Sequence, residues 1–413
     1  MPGTVTFTAA TAARPPMGLS LARRFIVRLA RQIDRGQIVI QTPSGETIHC
    51  TGARPGPVAR LTLYRWRAAW RLLMDGDIGF AEAYMDGDWS SPDLTALIEL
   101  AAVNHAAMIP SMNGARLSRL IHRLSHLRRR NTKRGSQRNI PAHYDLGNDF
   151  YAAWLDPGMS YSSGFYAAAD TTLEQAQTAK QDMAIAALNL SGGERVLEIG
   201  FGWGGLAARL AREHGCAVTG LTLSPAQLDL AGKTIAGACA PGSVELLLRD
   251  YRDTGGTFDR IVSIEMLEAV GKAWWPMYFG TLHDRLRPGG IAAVQAITMA
   301  EDRYAAYERG TDFIQRHIFP GGMLPTDGAI RAHAPAAGLA VDGVETFGLS
   351  YGRTLADWRT RFHRVWPRLT AMGFDARFRR KWDYYLSYCE AGFRARALDV
   401  GLYRFRRPEE SKS

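Results

Sequence analysis

A short apolar stretch, VLEIG, runs directly into Gly200-Phe201-Gly202-Trp203-Gly204-Gly205 and then into the helical segment LAARLAREHG. A glycine-rich turn between a first strand and a helix lets a ligand approach the backbone closely, because no Cβ stands in its way. No Gly-Lys-Ser/Thr follows, so the turn is not a Walker loop. It departs from the dinucleotide GxGxxG as well, since the acidic Glu198 precedes the first glycine. Strands are expected at Arg195–Ile199, Ala217–Thr222, Val244–Leu248, Phe258–Ile264 and Gly290–Ile297, with helical stretches between them. That alternation predicts an α/β domain with a doubly wound, mostly parallel sheet.

The rest of the chain divides by pattern. With 413 residues, 22% charged and 46% apolar, it is long enough for two or three domains and too apolar for disorder. Residues 1–110 predict a small α+β domain. Within it, QIVIQ and ETIHCT read as strands joined at Pro43-Ser44-Gly45, residues 62–104 read as mainly helical, and Asp93 is placed to cap a helix. Near the N-terminus Ala22, Phe25, Ile26, Leu29 and Ile33 recur at helical spacing among arginines. That pattern fits a basic amphipathic helix or, by composition, a transit peptide. Residues 111–139 form a basic connector, with Leu117, Leu120, Ile121, Leu124 and Leu127 on one helical face. It reads as a helix packed on a domain, as a helix lying on anionic headgroups, or as a nucleic-acid contact. The α/β domain is expected over 140–413, with its last strand near Gly401–Phe405.

Fifty basic against forty acidic residues leave a net charge of +10, which favours anionic partners without choosing among them. Cys50, Cys216, Cys239 and Cys389 lie far apart. Their spacing argues against a zinc site or a disulfide framework and suits a reducing compartment. No apolar run reaches 18 residues, and a cytoplasmic protein is expected.

The spelling E-x-G-x-G-x-G at the end of a first strand resembles that of class I S-adenosylmethionine methyltransferases. Most of those place an acidic residue after the second strand for the ribose. Here the segment is GLTLSPAQ, with Thr222, Leu223 and Gln227. Together with Trp203-Gly204-Gly205, this resembles the cyclopropane-fatty-acyl-phospholipid synthases and mycolic acid cyclopropane synthases. The blocks GDIGFAEAYMDGDW, HYDLGNDFY, LDPGMSYSSGFY, EQAQTAK, RDYRD, FDRIVSIEMLEAVG, HIFPGGMLP and YYLSYCEAGFRAR stand in that family's order.

The resemblance implies a Rossmann-like, seven-stranded, mostly parallel sheet in the 140–413 domain, with a lid over an acyl-chain pocket at about 300–335. It implies S-adenosylmethionine as methyl donor. It implies attack by the cis double bond of a phospholipid acyl chain on the methyl group, then proton loss to a bound bicarbonate, which closes a cyclopropane ring. An alkene is a poor nucleophile, so the site has to be dry and aligned. Aromatic faces such as those of Tyr161, Phe165, Tyr166, Trp203 and Tyr351 suit a developing cation. For the bicarbonate shell the resemblance points to Glu268, Ile297 and Tyr351. Ser163 stands where cysteine is usual and Gln295 where histidine is usual. Glutamine keeps a donor and an acceptor but relays no proton as imidazolium does. Cys389 matches a cysteine assigned as active in the family, although a free cysteine is more often a buried small hydrophobe. For the cofactor the resemblance points to Tyr161, Ser162, Gly200, Gly202, Leu223, Gln227, Tyr251 and Ile264, with Asp250 beside them.

Ring formation is therefore the expected reaction. A methylene- or methyl-branched chain is the alternative raised by Ser163 and Gln295, and a partner redox enzyme would accompany it. Readings outside lipid methylation are an RNA or protein methyltransferase and a catalytically silent lipid-binding homologue. The lack of an NPPY-type sequence after the fourth strand argues against base methylation and against a nucleic-acid partner. A homodimer peripheral to the inner face of an anionic membrane is expected from the resemblance.

Overall fold

The computed structural model describes residues 4–8, 17–108, 146–236 and 243–409. The basic connector at 111–139, Cys239 and the first three residues of HYDLGNDFY lie outside the described residues. The chain forms two compact units. One holds residues 1–125, 309–316 and 366–397; the other holds 126–308, 317–365 and 398–413.

In the first unit, strands β1 (Thr4–Thr8), β2 (Arg35–Gln41), β3 (Thr47–Thr51), β4 (Arg54–Leu63) and β5 (Trp89–Ser90) form a sheet in the order β1-β3-β2-β4-β5. The β2–β3 hairpin closes where Pro43-Ser44-Gly45 predicts it, with Thr42 N donating to Glu46 O at 2.9 Å. The helix Met17–Ala30 buries Ala22, Phe25 and Ile26 and leaves Arg24 and Arg28 exposed, so that stretch is amphipathic as its spacing predicts. Asp93 caps the helix Leu94–Val103, accepting from Ala96 N at 2.9 Å. The expected helical region from residue 62 begins later, after β4, and its helix Arg67–Met85 breaks at Gly76 (φ 66°, ψ −144°).

This unit also takes 366–397, which the sequence reading gives to the other domain. The helix Ala376–Arg394 holds to its neighbours by polar contacts from a buried face. Tyr84 Oη donates to Asp383 Oδ2 at 2.6 Å, and Thr95 Oγ1 donates to Glu390 Oε2 at 2.8 Å. Residues 309–316, inside the expected lid, belong to this unit too.

The second unit holds β6 (Arg195–Ile199), β7 (Ala217–Thr222), β8 (Val244–Leu248), β9 (Phe258–Ile264), β10 (Leu286–Met299), β11 (Ala340–Thr346) and β12 (Leu398–Arg406). They form one seven-stranded sheet, in the order β11-β12-β10-β9-β6-β7-β8. It is parallel from β10 through β8, and only β12 runs antiparallel to its neighbours. The first four strands match their expected limits, and β10 starts four residues earlier than expected, through an irregularity between Leu286 and Ile291. Leu197, Ile261, Val294, Tyr278, Phe279 and Phe405 belong to its buried core.

The chain leaves β6 toward β7 and β8, then returns to β9 on the other side of β6. A crevice opens outside the carboxyl ends of the strands at such a reversal. Register aligns those ends: Glu198 of β6 faces Val262 of β9, and Gln295 of β10 faces Ile264 of β9.

Candidate functional site

Two turns border this crevice. The first follows β6. Gly200, Gly202 and Gly204 all have positive φ (83°, 57° and 86°), a conformation that other residues enter only with strain. Gly200 N and Phe201 N donate to Leu221 O at 2.9 and 3.2 Å, which ties the turn to β7. A Cβ placed on Gly202 would meet nothing within 4 Å, so this side of the turn is open to a ligand. The helix Gly205–His214 begins immediately after it. Glu198 is 3% exposed and its Oε2 has no hydrogen-bond partner. Burial pushes its carboxyl up to about 8. A buried carboxyl oxygen without a partner among the described residues, beside an open glycine turn, fits a ligand that carries an ammonium group.

The expected cofactor residues gather around this turn to differing degrees. Trp203 Nε1 donates to Asn148 Oδ1 at 2.9 Å, and the Trp203 ring lies 5.3 Å from that of Tyr151, which lies 5.3 Å from Tyr161. After β7, Thr222 Oγ1 donates to Gln227 Oε1 at 2.8 Å, Ser224 N donates to Thr222 Oγ1, and Leu223 is half-buried between them. Asp250 is committed elsewhere: both its oxygens accept from Arg252, at 2.8 and 2.6 Å. Tyr251 presents a buried hydroxyl without a partner, and Ile264 ends β9 half-buried.

The second turn follows β9 and carries two carboxylates. Glu265 has φ 50°, an uncommon conformation for a side-chain-bearing residue and one that often marks a functional constraint. Its Oε1 accepts from Ser163 N at 2.8 Å and from Gln295 Nε2 at 2.7 Å, and its Oε2 accepts from Tyr351 Oη at 2.6 Å. Burial raises the Glu265 carboxyl, while the Tyr351, Ser163 and Gln295 donors and the charge of Lys180 pull it back. Glu268 accepts from Ile297 N at 2.5 Å, and its Oε2 has no partner among the described residues. Burial and the charge of Glu265 push Glu268 up to about 8. The pair is asymmetric: burial raises both carboxyls, three donors oppose that rise on Glu265, and Glu268 also feels the charge of Glu265.

The structure brings Ser163, Gln295 and Tyr351 together on Glu265, and Ile297 onto Glu268. Four of the shell positions expected to surround a free anion therefore close on side-chain carboxylates. With Ser163 N, Gln295 Nε2 and Tyr351 Oη already engaged by Glu265, the residues present do not fit a bound bicarbonate. Cys389 lies in the helix Ala376–Arg394 of the first unit. Burial and Asp312 push its thiol up, away from the thiolate that reactivity needs. Among the aromatics, the Tyr161 ring lies 5.3 Å from Trp358, and Tyr351 sits edge-on to Trp358 at 6.2 Å. Tyr166 is engaged by Asp357 at 2.6 Å and by Arg353 over its ring.

Glu265 and Lys180 were not among the residues the sequence singles out. Lys180 is 5% exposed and donates to Ser162 Oγ at 2.8 Å. The available signal was slight: two glutamates three apart in SIEMLE, and a lysine in EQAQTAK.

Comparison with known proteins gives the chain's family. Residues 131–402 match the family described as mycolic acid cyclopropane synthetase. A tuberculostearic acid methyltransferase of Mycobacterium tuberculosis is 40% identical over 363 residues, covering 85% of this chain and 84% of the relative. A cyclopropane-fatty-acyl-phospholipid synthase of Escherichia coli is 36% identical over 350 residues, covering 83% and 86%. The solved mycolic acid cyclopropane synthase CmaA1, complexed with SAH and CTAB, superposes with a TM-score of 0.62 at 31% identity, covering 65% of this chain and 98% of that one.

Proposed function

This chain belongs to the mycolic acid cyclopropane synthetase family and is an S-adenosylmethionine-dependent methyltransferase; from that premise we propose that it methylates a cis double bond in lipid acyl chains, uses Glu265 as its proton acceptor, and yields a methylene-branched chain. The observation that carries this reading is the Glu265 carboxylate, held by Ser163 N, Gln295 Nε2 and Tyr351 Oη. A cofactor bound at the glycine turn supplies a methyl group on a sulfonium sulfur. The π pair of the alkene forms the new C–CH₃ bond as the S–CH₃ bond breaks, which leaves a secondary cation on the neighbouring carbon of the lipid.

The fate of that cation rests on this chain's own residues. Oε1 of Glu265 already accepts two hydrogen bonds and Oε2 accepts one, so one lone pair on Oε2 is free to take a proton. Those three donors oppose the rise that burial gives Glu265, so it is a weaker base than a buried carboxylate without them. A cation that waits rearranges: a 1,2-hydride shift moves the charge onto the methyl-bearing carbon, where it is tertiary. Loss of a methyl proton to Glu265 then leaves a C=CH₂ branch on the chain, whereas loss of the same proton before the shift closes a ring. Glu268, raised by burial and by Glu265 to about 8, is neutral in this reading and places no second negative charge beside the cation.

The basic balance of the chain supports phospholipid in an anionic bilayer as the source of the acyl chain. The 40% identical relative named for tuberculostearic acid supports the branched outcome. The test is mass spectrometry of acyl chains after incubation with unsaturated phospholipid vesicles and methyl-deuterated S-adenosylmethionine. A methylene branch retaining two deuterium atoms on the added carbon is expected. A cyclopropane would overturn the product assignment, and unlabelled lipid would overturn the substrate.

A further inference from the structure

Lys180 is unusual. It is buried, yet among the described residues no carboxylate pairs with it by direct contact, and its one hydrogen bond there goes to Ser162 Oγ at 2.8 Å. The helix Leu173–Leu188 pins Ser162 twice, one turn apart: Gln177 Nε2 donates to Ser162 O at 2.8 Å, and Lys180 Nζ donates to its hydroxyl. An ammonium only donates. The Ser162 oxygen is therefore the acceptor in this contact, and its proton has to point elsewhere. No protein acceptor for that proton is present among the described residues. The neighbouring peptide, Ser163 N, reaches Glu265 at the end of β9, and Gly158 O lies 3.4 Å from where a Cβ on Gly205 would stand. The segment bearing Ser162 thus packs over the crevice between the two turns.

We propose that Lys180 is a positioning residue which makes the Ser162 hydroxyl an obligate donor toward a ligand carboxylate, and that the two recognise the acidic end of an aminocarboxylate. The groups facing Lys180 are Asp156, Glu198 and Glu265. Asp156 is occupied by Gly158 N and Ser160 N, and Glu265 by its three donors. Of the three, Glu198 alone keeps a buried oxygen without a partner among the described residues, and positive charge favours its ionised form, as that of Lys180 already does, so it suits the ammonium of the same zwitterion. This assignment rests on the cofactor reading, since the methionyl end of S-adenosylmethionine is such a group. It adds the element that enforces its orientation.

Calorimetry with two ligands tests it. S-adenosylhomocysteine carries the aminocarboxylate; 5′-methylthioadenosine lacks it. Lys180→Met and Ser162→Ala are each expected to weaken S-adenosylhomocysteine by about tenfold or more, the scale of a hydrogen bond to a charged group, and to leave methylthioadenosine within about twofold. The double variant should be little worse than either single one, because both act through one contact. Lys180→Arg, which keeps the charge and the donor, should retain most of the affinity. If Lys180→Met does not fold, Ser162→Ala carries the test. Equal weakening of both ligands would reduce Lys180 to a structural prop, and unchanged S-adenosylhomocysteine binding would overturn the proposal. A wild-type protein that binds neither ligand would overturn the cofactor reading itself.

Discussion

The turns after β6 and β9 stand side by side at the same edge of one sheet, and they differ in how they use a left-handed backbone. After β6, three glycines adopt positive φ and leave an open face at Gly202. After β9, a glutamate adopts positive φ and fills its surroundings with a carboxylate on three donors. The first turn makes room and the second provides a charge. Room and a carboxylate thus stand next to each other at the carboxyl ends of adjacent strands.

The sharpest way to break that contrast is to take the charge away. Glu265→Gln keeps the shape and removes the base, so turnover should fall by about 10²–10⁴-fold, while calorimetric binding of S-adenosylhomocysteine stays near wild type. Glu265→Gly goes further: it relieves the positive-φ strain and frees three donors, and added bicarbonate or formate is expected to restore part of the rate. Unchanged turnover in Glu265→Gln would remove the residue from the chemistry.

Filling the open turn comes next. Gly200→Ala combines positive φ with a Cβ 3.2 Å from Met266 Cγ. A strain of about 1–2 kcal/mol in the folded protein predicts a melting temperature lowered by roughly 2–4 °C per kcal/mol, measured by thermal unfolding, with the product pattern unchanged.

A smaller effect concerns pH. Glu268 is raised to about 8 in the folded protein, far above the roughly 4.3 of an unfolded chain. Between those values the native state holds a proton that the unfolded state has released. Stability therefore falls as pH rises through this window and levels off above about 8. Glu268→Gln should flatten its share of that fall and raise the melting temperature at pH 8.5 relative to wild type. Glu198, also raised to about 8, contributes a slope of the same sign and remains as an internal comparison. A wild-type melting temperature that climbs across this range would contradict both assignments.

The two turns also differ in how far the sequence discloses them. The glycine turn was legible because its requirement is local: positive φ and close approach are written as glycines between a strand and a helix. The strand limits from Arg195 to Ile264 were legible for a similar reason, since buried parallel strands are short apolar runs with turn residues at their ends. Glu265 was not, because its role exists only once β9 and β10 pair in register and the segment around Ser163 folds across them. Locally it is one glutamate near another. β4 was hidden because Pro55, Gly56 and Pro57 interrupt its start, although Val58–Leu63 alternates. β11, exposed along much of its length, carries no clear alternation. The placement of 366–397 in the first unit was hidden because the buried face of that helix meets residues some 300 positions away in the chain, such as Tyr84 with Asp383.

Turnover in rigorously carbon dioxide-free buffer tests the central claim most directly. If Glu265 is the resident proton acceptor, the wild-type protein turns over at full rate without bicarbonate, and added bicarbonate changes nothing. A wild-type rate that collapses on removing bicarbonate and returns on adding it would contradict the account.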